Sequence, residues 1–165
     1  MVAQYVRLTP QELTRALDDP EWAEEWTNDL LDAELDVELD GADPPAGGLR
    51  GHDTGKAWDP LRILLHRAAD VAPCPFLGGE AFGPEWSYDR PRTLTPEDVR
   101  DLAARLGAVP FDSLLTAYDG DALADAYLGP WSRDDVAELR GVYDGLVDYF
   151  ADTARRGDAL LLYLA

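Results

Sequence analysis

The last seven residues, Ala159–Ala165 (ALLLYLA), form a nearly unbroken apolar run just after Gly157. A half-buried strand alternates apolar and polar residues; a run like this one reads as a strand buried on both faces. Such a strand belongs at the heart of a sheet, so the rest of the chain must supply its neighbours and its covering helices. Met1–Leu8 (MVAQYVRL) mixes apolar, β-branched and aromatic residues and reads as a first strand. Ser87–Leu94 (SYDRPRTL) reads as a third extended segment, with Tyr88, Arg90, Arg92 and Leu94 on one face. Pro91 has no amide hydrogen to give, which places that segment at a sheet edge or a bulge.

Helices are announced by their first turns. Thr9-Pro10-Gln11-Glu12 offers an N-cap, a proline at the first helical position and a capping-box carboxylate, and Thr95-Pro96-Glu97-Asp98 repeats the pattern. Ser132-Arg133-Asp134-Asp135 opens a last helix with Val136, Leu139, Val142, Tyr143, Leu146 and Tyr149-Phe150 on one side, closed by Gly157. Asp19-Pro20 starts another, in which Trp22, Ala23, Trp26 and Leu30 fall at helical spacing and core packing is the expected role of both tryptophans. Ala57, Trp58, Leu61, Leu64, Leu65 and Ala68 form a further stripe, with Pro60 shortening or kinking its first turn. Leu31–Asp40 (LDAELDVELD) is ambiguous: its alternation suits a strand, its Ala, Glu and Leu content a helix. The expected architecture is α+β: one small sheet holding both terminal strands, covered by several helices. Residues 1–165 are expected to form a single domain, with residues 41–51 (GADPPAGGLRG) as an internal loop or insertion.

Charge narrows the function. The 165 residues carry a formal net charge of −19. Residues 1–49 hold two arginines against thirteen carboxylates, residues 50–105 eight cations against nine, and residues 106–165 four against eleven. Nucleic acids and anionic membranes are not expected partners, because phosphate contacts need concentrated Lys and Arg. Met1–Leu13 lacks a basic stretch followed by an apolar one, and no run of about 18 apolar residues occurs, so a cytoplasmic chain without a membrane span is expected. The one cysteine, Cys74, excludes an internal disulfide and suits a reducing compartment.

Motifs for chemistry mostly fail by spacing. Gly51-His-Asp-Thr-Gly55-Lys56 has three residues between its glycines where a phosphate loop needs four, and Ala57 where it needs Ser or Thr. Asp36-x-Glu38-x-Asp40-Gly41 opens like a calcium loop, but Gly47 stands at the twelfth position. His52, His66 and Cys74 lack metal-ligand spacing. No cofactor or metal is expected, and no catalytic motif is recognisable. The middle third leaves one constellation: Lys56, Arg62, Arg67, Arg90 and Arg92 could converge near Gly78-Gly79 and Glu80, with Tyr88 as a further polar group. Arginines simply paired with surplus carboxylates are the alternative.

Tyr5-Val6-Arg7-Leu8, Lys56-Ala57-Trp58-Asp59 with Leu61 and Leu64-Leu65, and Leu77-Gly78-Gly79-Glu80 form an ordered set of anchors. Tyr88, Arg92, Leu94-Thr95-Pro96, Tyr118-Asp119, Trp131, Gly157, Ala159, Tyr163 and Leu164 continue it to the other end. In order and spacing these resemble the YfbM-like family, small bacterial proteins known as a domain of unknown function. The resemblance implies one α+β domain and brings no assigned reaction, cofactor or catalytic residue. Members often carry a histidine where Arg62 stands, so a scheme built on that histidine lacks its base here.

Two functions are expected to compete. The first is a non-catalytic binding protein, immunity- or inhibitor-like, whose acidic faces recognise a basic protein partner. The alternative is an anionic-ligand-binding protein or enzyme with a pocket from Lys56, Glu80, Tyr88 and Arg92, to which Trp58, Gly78 and Gly79 would add lining. Oligomeric state, monomer or homodimer, is open, and Trp22 with Trp26 offers one self-association face.

Overall fold

The computed structural model describes all residues 1–165. Five antiparallel strands form one sheet in the order β2-β1-β5-β4-β3, which puts the chain's last strand in the middle. There β5 (Ala159–Leu164) pairs along its whole length with β1 (Ala3–Leu8), Ala3 opposite Leu164 and Leu8 opposite Ala159. On its other side lies β4 (Arg92–Leu94), with Thr93 opposite Leu161. β2 (Gly51–Asp53) closes one edge against β1, and β3 (Glu80–Ala81) closes the other against β4. Leu160, Leu162 and Leu164 enter a core of 25 buried residues on one face, while Ala159 and Leu161 enter a core of seven on the other. Each leucine so buried is worth about 1.5–3 kcal/mol, which fixes the register, because a one-residue slip would exchange the two faces.

The capping signals act as the sequence implies. α1 (Pro10–Asp18) starts with a complete capping box between Thr9 and Glu12. α2 (Pro20–Asp40) starts at Asp19, whose side chain accepts from the Trp22 amide. α3 (Trp58–Ala69) follows a 3-10 turn at Gly55–Ala57, and Pro60 falls in its first turn, where a missing N–H costs nothing. α4 (Pro96–Gly107) opens with the Thr95–Asp98 box, and a short α5 (Phe111–Thr116) follows. α6 (Arg133–Glu138) opens with the Ser132–Asp135 box, and α7 (Arg140–Arg156) ends at Gly157 in the left-handed conformation. α3, α4, α5 and α7 cover the larger core; α1 and α2, with Phe82 and Trp86, cover the smaller one.

Four expectations change in detail. Leu31–Asp40 is helix, the second half of α2: Glu34 turns inward and Leu31 and Leu35 share a side, a helical pattern beneath the alternation. The extended segment begins only at Arg92, because Trp86 N–H donates to the Asp89 carbonyl at 3.0 Å and closes Ser87–Arg90 into a turn. Tyr88 therefore does not share a strand face with Arg92. The last helix is two helices, broken at Leu139, where ψ of −1° turns the axis. Trp22 and Trp26 pack on the smaller core but stay half-buried, each with an arginine over its ring: Arg15 at 4.0 Å and Arg50 at 4.9 Å.

Candidate functional site

The middle-third constellation is spread over the fold. Lys56 is exposed in the turn after β2, whereas Glu80 lies on β3 at the opposite edge. Those strands are four inter-strand spacings apart, about 19 Å. Trp58 is buried against Tyr127. Tyr88 is exposed, and Arg92 is half-buried with its guanidinium 3.8 Å from Asp89. Gly78 and Gly79 serve the chain's own packing: a Cβ at Gly78 would stand 2.3 Å from the Cys74 carbonyl oxygen, and one at Gly79, with φ of +86°, 2.3 Å from that of Thr93. The arginines have partners too: Arg62 donates to Asp59, which also accepts from the Tyr127 amide at 2.9 Å, and Arg67 pairs with Asp119. None of Lys56, Trp58, Gly78, Gly79, Glu80, Tyr88 and Arg92 lines any of the four principal clefts.

Two of the four clefts border α2, and the other two lie between α3 and α5. Glu34, buried at 8% exposure, accepts the backbone N–H of Arg50 at 2.5 Å and of Gly51 at 2.8 Å, joining the helix to the β2 edge. The approach is close: a Cβ on Gly51 would meet Leu31 Cδ2 at 2.5 Å and Glu34 Oε2 at 2.9 Å. Arg50 donates to the Arg7 carbonyl at 2.6 Å and pairs with Glu12. Burial alone would raise the Glu12 carboxyl, but hydrogen bonds from Arg50 and Thr9 overcome this and hold it below the ordinary range. Arg7, 4% exposed, is held by Asp152 at 2.6 Å and by the Leu49 carbonyl at 2.5 Å. Asp152 sits lower than an ordinary aspartate through a hydrogen bond from Arg156, which outweighs burial, aided by the charges of Arg156, Arg7 and Arg155.

Two clefts flank Glu34. The larger, about 550 Å³, runs between α2 and the 43–48 loop, with Leu30, Ala33 and Val37 on its wall and Arg7, Arg50 and Arg156 among its polar groups. All three arginines are already paired, with Asp152 or Glu12. The other, about 430 Å³, lies between α2 and β2 and holds Asp32, Glu34, Glu38 and Asp53 but no lysine or arginine. Its His52 stacks on Tyr149 with ring centroids 4.8 Å apart and has its Nε2 buried without a partner. Burial lowers the His52 imidazole, with only the Asp53 charge working against it. Burial raises the Tyr149 phenol, which donates to the Arg50 carbonyl at 2.7 Å. The region thus offers carboxylates and apolar walls, with its arginines already spent. The sequence shows the carboxylates of residues 31–40; it does not show that Glu34 alone turns inward, or that His52 joins them.

A family model described as "Domain of unknown function (DUF1877)" matches residues 1–163, and the chain belongs to that family. No curated protein matches the sequence. Among solved structures, the fold is similar to the protein of unknown function YfbM from Escherichia coli, with a TM-score of 0.63 and 13% identity over 98% of each chain. At that identity the likeness shows a shared fold.

Proposed function

We propose that this member of the family is a non-catalytic cytoplasmic binding protein whose acidic helix α2 recognises a basic protein partner, in the manner of an immunity protein or inhibitor. One observation carries the reading: α2 holds nine carboxylates and no Lys, Arg or His in 21 residues, and none of them takes part in an ion pair. Asp36, Glu38 and Asp40 crowd the negative end of the helix dipole with no basic residue in the last turn. Charge so placed costs about 0.3–1 kcal/mol per group and is relieved by an approaching cation. Leu35 and Leu39, 51% and 75% exposed, add apolar contact area on the same stretch of helix. Electrostatic complementarity of this kind raises association rates and selects partners by sign of charge.

The test is calorimetric titration with a synthetic amphipathic helix of lysine and leucine at low and high salt. Binding is expected to weaken with salt and to be lost when Asp32, Asp36, Glu38 and Asp40 are replaced by Asn or Gln. Neutralising Asp134, Glu138, Asp144 and Asp148 on α6 and α7, all exposed and unpaired, is expected to leave it largely intact. Equal losses in the two variants would show attraction to bulk charge alone and overturn the reading.

A further inference from the structure

We infer that the groove between α2 and the open edge of β2 is where the basic partner is anchored, by a lysine or arginine side chain laid along leucines with its charged head among carboxylates. The inference rests on the proposed recognition of a basic partner and adds the place and chemistry of the contact.

The groove encloses about 430 Å³, within the roughly 300–1,000 Å³ of ordinary ligand pockets. Its apolar lining comes from Leu31, Leu35 and Leu49. Its carboxylates differ in what they have left to give. Glu34 is spent on the Arg50 and Gly51 amides, and Asp53 accepts the Gly55 amide through one oxygen. The carboxylates of Asp32 and Glu38 make no hydrogen bond and no ion pair, and the groove has no lysine or arginine of its own to answer them. Asp32 and Glu38 are exposed, so their attraction for an incoming cation acts through solvent and weakens with salt. A long cationic side chain suits both halves of the groove, since its methylenes lie on apolar surface while its head reaches the charge.

The edge of β2 argues for a side chain over an added strand. Gly51 is the first residue of that strand, and its N–H already donates to Glu34. A partner strand would have to displace a charge-assisted hydrogen bond to continue the sheet. His52, half-buried, stacks on Tyr149 with ring centroids 4.8 Å apart, and burial disfavours its protonated, opposing-charge form.

The test uses the full chain labelled with 15N and titrated with hexylguanidinium, with hexanol and hexanoate as matched probes. Saturable amide shifts are expected at Leu31–Glu38 and Gly51–Asp53 for the cation only. The double variant Asp32→Asn/Glu38→Gln is expected to weaken it about ten-fold, which corresponds to about 1.4 kcal/mol. Both positions are exposed, and an otherwise unchanged amide spectrum would confirm the variant's fold. Absent shifts, equal shifts with hexanol, or unaltered affinity in the variant would overturn the inference. The lysine–leucine helix separates the two readings. If it binds in a salt-dependent way without moving Gly51–Asp53, the anchor falls and partner recognition stands. If it fails to bind while hexylguanidinium still occupies the groove, the cation site stands and the protein partner falls.

Discussion

Replacing Glu34 by Gln tests whether one buried carboxylate holds α2 against the sheet. Its two oxygens accept the amides of Arg50 and Gly51, at 2.5 and 2.8 Å. Gln keeps the shape but offers one acceptor, so its NH2 group must face one of those N–H groups, donor against donor. A hydrogen bond to a charged acceptor is worth about 1.5–3 kcal/mol, and a neutral one about 0.5–1.5 kcal/mol. One bond is lost and the other weakened, a destabilisation of about 2–3 kcal/mol. For a chain of this length that lowers Tm by roughly 5–10 °C. Urea unfolding at unchanged m would measure the loss, and hydrogen exchange would locate it. The Gly51 amide should exchange about thirty-fold faster for a local loss of about 2 kcal/mol, while amides between β1 and β5 should slow or quicken only with global stability. Stability within about 0.5 kcal/mol of the parent, with Gly51 exchange unmoved, would refute this account of how α2 is held.

Other outcomes follow from single positions. The folded pKa of His52 lies below the unfolded value of about 6.5. The unfolded chain therefore takes up a proton first as pH falls, and stability present above about pH 6.5 is lost on descent toward the folded value. Chemical unfolding between about pH 7 and 5.5 should show this slope, and His52→Phe should flatten it; equal slopes would sink the assignment. Glu12 and Asp152, both held low, add their losses only in the more acid range of carboxylates. Gly79→Ala should cost about 2–3 kcal/mol, because φ is +86° and the new Cβ would strike the Thr93 carbonyl oxygen. Gly107→Ala at the end of α4 meets nothing within 4 Å and should be neutral or stabilising by about 0.5–1 kcal/mol, and thermal melts of the pair would check both.

Much of the scaffold was readable because its signals are local. The Thr9, Thr95 and Ser132 caps need only their own next three residues, and Gly157 closes α7 by its own φ. The apolar run at Ala159–Leu164 needs no partner to reveal that both its faces are dry, and β5 is central as that implies. Leu31–Asp40 was ambiguous because alternation and helical propensity pull in opposite directions within the segment. The short strands β2 and β3 carry no pattern of their own: three and two residues cannot show a period, and they are strands because β1 and β4 offer them hydrogen bonds.

Helix starts, the dry terminal strand and the acidic surplus of residues 1–49 are therefore properties of the sequence itself, since each depends on residues adjacent along the chain. Which side chains meet is decided by the sheet. Its strand order sets Lys56 and Glu80 near opposite edges and brings Asp32, Glu38 and His52 into one groove. Proximity across such distances depends on which faces are buried together, a quantity that no stretch of sequence carries alone.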